Sequence, residues 1–229
     1  MCRFKNCECE LCSTGGSYYE TYKSIRPYLM NDGKYEHTDE GSIIVNKIRQ
    51  WNKWQIKNGT TFYENPKSGC TTVKDVISKL PEEILKTKLK TKSFFVIRNP
   101  YERIVSGYKH YNDQLKGRVN NPLEFTSFSS FLNEMHKINP LCATHHFFPQ
   151  NYFVPLTEDK KPDVDVVLNL KNLTNGLCNI FETKLDVPRK MQSKDKSNYS
   201  DFYDDEIEQK VYEIYKEDFE IFGFERGII

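Results

Sequence analysis

The stretch TTFYENPKSGCTT, residues 60–72, decides the fold. Residues 60–64 are mostly β-branched or aromatic and predict a β-strand, and residues 65–70 predict a turn-rich loop. A strand, a glycine-containing loop and a helix in this order aim backbone N–H groups and a helix N-terminus at an anion. The apolar residues that predict the helix recur at the spacing of one helical face: Val73, Val76, Ile77 and Leu80.

A second unit of the same kind follows directly. The short apolar run SFFVI, residues 93–97, is typical of a buried parallel strand. Asn99 as N-cap, Pro100 in the first helical position and Glu102 in the third indicate that a helix starts here. One face of this helix is apolar and consists of Tyr101, Ile104, Val105 and Tyr108.

The alternation of strands and helices predicts an α/β fold with a central parallel β-sheet flanked by helices. We interpret residues 1–57 as an N-terminal Cys- and Tyr-rich extension that includes a helix, and residues 58–229 as one domain. The remaining predicted elements are helices over 42–57, 125–136 and 204–222 and a third strand over 164–170.

Size and composition bound the class of protein. A chain of 229 residues and 27.0 kDa can bury one sizeable core without disulfides. The formal net charge of +1 argues against a polybasic nucleic-acid binder, so we expect no nucleic-acid partner. No apolar run reaches the roughly 18 residues that a membrane span needs, and the first dozen residues lack the apolar stretch of a secretory signal. We therefore expect a soluble, cytoplasmic protein.

The seven cysteines do not predict a disulfide framework, because their number is odd and three of them are widely scattered. The other four form a C-x4-C-x-C-x2-C run of Cys2, Cys7, Cys9 and Cys12. Thiolates at short spacing suit zinc or an iron–sulfur cluster. These spacings match no usual paired pattern, however, so we favour reduced, unligated thiols and predict no metal site.

The loop of the first unit has the residue types that bind a phosphate or a sulfate. Gly69 lets the backbone come close to a ligand, and Lys67 supplies a flexible point charge. The lysine precedes the glycine, so the G-x-x-x-x-G-K-[ST] pattern of ATP and GTP sites is absent. The candidate anion-binding residues are Lys67, Ser68, Gly69, Cys70, Thr71 and Thr72.

A second anion site is predicted where the second strand ends. Arg98 closes that strand, and Ser106 lies two helical turns further on. An arginine and a hydroxyl at a strand–helix junction can hold a phosphate separate from the first. Two anion sites on adjacent junctions fit a nucleotide that carries phosphates at both ends of its ribose.

These motifs resemble those of the sulfotransferases. The loop PKSGCTTVK, residues 66–74, is similar to their 5′-phosphosulfate loop, and FFVIRNPYERIVSGY, residues 94–108, to their 3′-phosphate motif. The C-T-x-x-K continuation through Lys74 is closest to the carbohydrate sulfotransferases of the chondroitin 4-O, HNK-1 and heparan 2-O type. Residues 146–150, HFFPQ, and the tail 212–224 agree with the resemblance.

The resemblance implies a P-loop-like three-layer fold and makes residues 58–229 a sulfotransferase domain. It implies 3′-phosphoadenosine-5′-phosphosulfate (PAPS) as donor, adenosine 3′,5′-bisphosphate (PAP) as product and a hydroxyl, with a carbohydrate expected, as acceptor. Lys67 would neutralise the bridging oxygen as it leaves, while Arg98 and Ser106 would hold the 3′-phosphate and reject ATP.

The general base is less well determined, because some relatives use a histidine and others a glutamate. His145 and His146 stand in a Pro-bounded loop, and His146 heads the H-x-x-P-Q stretch, so we select His146. Glu64, beside the anion loop, is the carboxylate alternative.

Two other functions are compatible with the same residues. One is a nucleotide or polyol kinase with a variant phosphate loop, for which Asp163 and Asp165 would be the Mg²⁺ ligands. The other is a non-catalytic anion- or glycan-binding protein on the same scaffold.

Overall fold

The computed structural model describes residues 49, 52–115, 125–134, 144–188, 195 and 197–228. The four-cysteine run at residues 2–12, most of the predicted helix 42–57 and the side chain of His145 lie outside the described part.

A four-stranded sheet forms the centre of the molecule, in the order β1-β2-β3-β4. The three strands β2, β3 and β4 are parallel, with Phe62 opposite Phe94 and Phe94 opposite Val166. The α/β class and the central parallel sheet are therefore confirmed. The strands are β1 (Lys53–Gln55), β2 (Thr61–Tyr63), β3 (Ser93–Ile97) and β4 (Val166–Asn169).

Strand β1 corrects the prediction of a helix over residues 42–57 at the C-terminal end of that range, where residues 53–55 form a strand. It pairs antiparallel with β2 and so adds an edge to the parallel strands. Lys53 and Gln55 are exposed, whereas Trp54 and Ile56 pack against the core. This two-residue alternation is typical of a strand. It determines the structure of residues 53–55, although the apolar residues further upstream recur at three- and four-residue steps.

Strand β3 is buried on both faces and divides the core. Phe94 and Val96 pack on one side against α1 and α5, while Phe95 and Ile97 pack on the other against residues 148–154. The chain thus has three layers, with helices on both sides of the sheet. The helices are α1 (Cys70–Ser78), α2 (Glu82–Lys86), α3 (Pro100–His110), α4 (Phe128–Glu134), α5 (Leu173–Ile180), α6 (Asp205–Ile214) and α7 (Lys216–Phe222).

Helix α3 begins as the sequence predicts. The Asn99 side chain accepts a hydrogen bond from the Tyr101 N–H, and Pro100 is the first helical residue. The predicted apolar face is buried in a cluster with α4, α6 and α7. Beyond His110 the helix continues as a π-helical turn, Tyr111–Leu115.

The predicted C-terminal helix over residues 204–222 is two helices rather than one. The chain leaves helical geometry at Tyr215, whose φ is −113° and ψ is 21°. Tyr215 is buried, and its hydroxyl donates to the Phe147 carbonyl at 2.7 Å. The break therefore turns α7 toward residues 147–151.

Short 3₁₀ turns connect the larger elements: Thr144–Phe147, Gln150–Phe153, Leu170–Asn172 and Tyr199–Phe202. Among the described residues, no helix combines the length and the apolar character that crossing a membrane requires. The carboxyl ends of β2, β3 and β4 lie at one edge of the sheet, where α/β folds place their ligands.

Candidate functional site

The loop after β2 has a backbone shaped for close approach to a ligand. Lys67 and Gly69 both have left-handed backbone angles, with φ of 66° and 81°. A Cβ at Gly69 would lie 2.6 Å from a Leu170 methyl group, so this position requires glycine both by its φ and by its surroundings. The first intrahelical hydrogen bond of α1 runs from the Val73 N–H to the Gly69 carbonyl, so the N–H groups of the first turn have no acceptor within the helix.

Lys67 lies in an environment that disfavours its own charge. Burial, together with the nearby guanidinium groups of Arg98 and Arg103, lowers the pKa of its ammonium group to about 8. Cys70 and Asp113 act in the opposite direction and are outweighed. An anion placed among these three cations would relieve their mutual repulsion.

Arg98, at the end of β3, reaches the same loop. Its Nη1 donates to the Lys67 carbonyl at 3.2 Å, and its Nε lies 3.3 Å from a carboxylate oxygen of Glu102. The other oxygen of Glu102 is 3.3 Å from the Nζ of Lys171, which follows β4. Burial lowers the pKa of Arg98, and Glu102 raises it. The structure thus brings the Arg98 guanidinium to the backbone of the loop that carries Lys67.

The other predicted loop residues differ in how they face the site. Ser68 is fully buried, and its hydroxyl donates to Gln150 rather than to solvent. Thr71 is exposed at the start of α1, whereas Thr72 is buried. Cys70 is half-buried as a residue, and burial of its thiol together with the adjacent Glu64 carboxylate raises the thiol pKa to about 11. Ser106 is half-buried on α3.

Arg103 is a residue whose role the sequence analysis missed. It is 2% exposed, its Nε donates to the Pro66 carbonyl at 2.9 Å, and its Nη1 donates to the Phe148 carbonyl at 2.8 Å. The sequence signal for a role in the site was the position of Arg103 on the same helical face as Asn99 and Ser106. The guanidinium group therefore joins the anion loop to the segment that follows His146.

Gln150 is the second missed residue and lies at the centre of the site with no exposed surface. Its Oε1 accepts hydrogen bonds from the Asn65 Nδ2 (2.8 Å), the Ser68 Oγ (3.3 Å) and the Arg98 N–H (3.0 Å). Its Nε2 donates to the Arg98 carbonyl at 2.8 Å. One carboxamide thus contacts both junctions. Its place in the HFFPQ stretch was the available sequence signal.

Asp218, on α7, anchors the turn that carries Gln150. Its two carboxylate oxygens accept from the backbone N–H groups of Gln150 (2.7 Å) and Asn151 (2.9 Å). Burial raises the pKa of this carboxyl to about 6, although Arg103 and the two N–H donors lower it. The site therefore includes a residue that lies near the C-terminus of the chain.

The candidate bases lie beside different helices, His146 next to α3 and Glu64 next to α1. His146 is half-buried, and its ring centroid is 5.1 Å from that of His110 on α3. The turn can approach α3 this closely because Gly107 has no side chain: a Cβ there would lie 2.6 Å from the Phe147 ring. Glu64 is in an ion pair with Lys74, at 2.7 Å.

Comparison with known proteins places these features in a family. A family model described as the sulfotransferase family matches residues 28–225, which is most of the chain. The matched range contains both junctions, the HFFPQ stretch and Asp218. Searches of the curated proteins and of the solved structures gave no match.

The buried bridge made by Arg103 predicts a large effect of a conservative substitution. In Arg103→Lys, one ammonium group replaces a planar fork and cannot donate to the Pro66 and Phe148 carbonyls with the same geometry. We expect the free energy of unfolding to fall by about 2–4 kcal/mol, measured by urea denaturation.

Arg226→Lys is the matched control, because Arg226 is half exposed where it pairs with Glu208. Its effect should stay within about 0.5 kcal/mol. Equal stabilities of Arg103→Lys and the unmodified protein would show that the bridge contributes nothing.

Proposed function

The chain belongs to the sulfotransferase family, and from this premise we propose that it transfers a sulfuryl group from PAPS to a hydroxyl group of a carbohydrate acceptor. Sulfuryl transfer is the activity that the family indicates. The donor proposal rests mainly on the hydrogen bond from the Arg98 guanidinium to the Lys67 carbonyl. These two residues follow neighbouring strand ends. This arrangement provides two cationic positions for one ligand.

The residues present suit a donor of this shape. The first-turn N–H groups of α1, the open backbone at Gly69 and the ammonium group of Lys67 would hold the 5′-phosphosulfate. In this proposal the remaining loop residues Ser68, Cys70, Thr71 and Thr72 contribute mainly through the backbone, since the Ser68 hydroxyl is already bound to Gln150.

Arg98 and Ser106 would hold the 3′-phosphate in this proposal. The Arg98 guanidinium has an internal partner, Glu102, which is itself shared with Lys171. A 3′-phosphate would therefore bind where a carboxylate already balances one cation, with Lys171 as an additional positive charge. A nucleotide without that phosphate would leave a desolvated guanidinium with less compensation.

Lys67 has the central chemical role in this proposal. During transfer the bond between sulfur and the bridging phosphate oxygen breaks, and a new bond forms between sulfur and the acceptor oxygen. Negative charge develops on the departing phosphate, and a protonated Lys67 stabilises it together with the loop N–H groups. The positioning of the two reactants accounts for much of the remaining acceleration.

His146 is the base that we propose for the acceptor proton. It belongs to the same segment as Gln150, which contacts both junctions, so its backbone is tied to the site. Imidazole accepts a proton near neutral pH. His145, in the same turn, is retained as the neighbouring candidate. Glu64 is less suitable, because protonation would cost its ion pair with Lys74.

The kinase alternative receives no support from the position of its acidic pair. Asp163 and Asp165 precede β4, and Asp165 accepts hydrogen bonds from the N–H groups of Lys92 and Ser93. They therefore lie at the amino end of the sheet, opposite the site. The carbohydrate acceptor is supported by the C-T-x-x-K motif through Lys74.

The donor proposal predicts selective binding. PAP at a hundredfold excess over its Kd should raise the free energy of unfolding by about 2.7 kcal/mol, and ATP with Mg²⁺ at the same concentration should do much less. A thermal-shift assay compares the two nucleotides through the rise in Tm that each one causes. Arg98→Ala should remove most of the selectivity for PAP, whereas Arg226→Ala should retain it. Equal shifts for PAP and ATP in the unmodified protein would overturn the donor proposal.

The lowered pKa of Lys67 predicts an alkaline limit to activity. Lys67 must be protonated to stabilise the leaving oxygen, and its pKa of about 8 means that the charge is lost above that pH. The value of kcat/KM for PAPS, which reports the free enzyme, should therefore fall as pH rises through about 8. Lys67→Arg keeps its charge and should shift this limb upward. The same limb in both proteins would exclude Lys67 as its source.

The base assignment predicts that His146→Ala loses turnover by about a hundredfold or more at saturating PAPS. His110→Ala is a matched control, because it removes the ring that contacts His146 and leaves the proposed base in place. Parallel assays of His145→Ala and Glu64→Gln test the alternatives. The assignment to His146 is wrong if its alanine variant keeps more than about a tenth of the turnover.

A further inference from the structure

We propose that Gln150 is a positioning residue that sets the separation between the two phosphate-binding junctions, so that one donor molecule can occupy both. The proposal rests on the proposed function. Gln150 itself would not touch the donor, because its side chain has no exposed surface and its polar atoms are bound to the protein.

Gln150 holds the backbone of Arg98 at the end of strand β3. The backbone N–H and the backbone carbonyl of Arg98 are both bound by this one carboxamide, at 3.0 and 2.8 Å. Strand β3 ends at Ile97, so Arg98 is the first residue beyond the strand pairing. Gln150 therefore provides the hydrogen bonds that a neighbouring strand would otherwise make, and it fixes the origin of the Arg98 side chain.

The same carboxamide also contacts the anion loop. The oxygen that accepts from the Arg98 N–H also accepts from Asn65 Nδ2 and Ser68 Oγ. Asn65 donates in addition to the Val96 carbonyl at 2.9 Å. Because three donors from two segments converge on one oxygen atom, neither segment can shift without lengthening a buried hydrogen bond.

Gln150 is itself held in place by neighbouring elements. Asp218 accepts from its backbone N–H at 2.7 Å, and Arg103 ties the Phe148 carbonyl to the Pro66 carbonyl of the loop. Helix α7, helix α3 and the anion loop therefore hold the turn from three directions. Because the Gln150 carboxamide is held in place, it keeps the distance between the two phosphate-binding junctions constant.

The distance between the two junctions determines how much affinity the second phosphate of one ligand adds to that of the first. A second phosphate strengthens binding fully only when its site lies at the distance that the ribose imposes. Displacement of one junction by about 1 Å is enough to cost a large factor in a preorganised site. Loss of Gln150 should therefore reduce the gain from carrying both phosphates more than it reduces the binding of one.

Calorimetric titration with PAP and with adenosine 5′-monophosphate measures this gain as the ratio of their dissociation constants. Gln150→Met keeps the length of the side chain and removes its hydrogen bonds. We expect it to lower the ratio by about tenfold or more, with a change of less than about threefold for the monophosphate. Asn151→Ala is the matched control, because Asn151 is a buried carboxamide of the same turn whose side chain binds Glu217. It should leave the ratio unchanged.

Ser68→Ala removes one of the three donors from the Gln150 oxygen and is the second variant if Gln150→Met does not fold. It should lower the same ratio by a smaller factor, about threefold. An unchanged ratio in a folded Gln150→Met, or in Ser68→Ala if that variant alone folds, overturns the inference. An equal fall in Asn151→Ala also overturns it. If the unmodified protein binds PAP no better than the monophosphate, the proposed function fails instead.

Discussion

Buried backbone groups at the ends of β2 and β3 need hydrogen-bond partners, and this requirement organises the site. Where the two strands stop, the sheet no longer pairs the Pro66 carbonyl or the N–H and carbonyl groups of Arg98. Arg103 and Gln150 pair them instead, from inside the protein. An unpaired buried group costs about 1–3 kcal/mol, so these side chains are constrained by stability before any ligand is considered. The pairing of these backbone groups by Arg103 and Gln150 therefore also shapes the ligand loop.

Because arginine side chains pair these backbone groups, positive charge is concentrated around the anion loop. Arg103 enters the interior to bind carbonyl groups, and Arg98 is drawn to the Lys67 carbonyl. Both guanidinium groups then lower the pKa of Lys67. Glu102 and Asp218 compensate part of this charge without contacting the loop backbone in the described structure. A site of this kind favours an anion with more than one charged group.

Local signals in the sequence predict the two strand–loop–helix units well. The helix face at Val73 and the N-cap at Asn99 depend on residues a few positions apart, and both are present in the structure. Arg98 and the Lys67 loop lie close together because adjacent parallel strands end at one edge of the sheet. Strand β1 was missed because two apolar spacings compete in one short segment.

The contacts of Gln150 could not be predicted in the same way. It meets Asn65 across 85 positions of sequence and Arg98 across 52. No periodicity encodes such a contact, and only the HFFPQ resemblance singled out this segment. The break at Tyr215 likewise occurs at a residue with a distant partner, since the buried Tyr215 hydroxyl binds the Phe147 carbonyl.

Asp218 shows that geometry is maintained here at some cost in stability. Burial raises the pKa of this carboxyl to about 6, above the 3.8 of an ordinary aspartate. A raised pKa means that the folded state binds the proton more tightly, so the contribution of this group to stability decreases as pH rises from about 4 to about 6. At neutral pH the ionised Asp218 therefore stabilises the folded state less than an unshifted carboxyl would. What the carboxylate provides is two oxygens that orient consecutive N–H groups, at Gln150 and Asn151. Helix α7 thereby helps to define the distance between two strand ends that lie more than a hundred residues earlier in the chain.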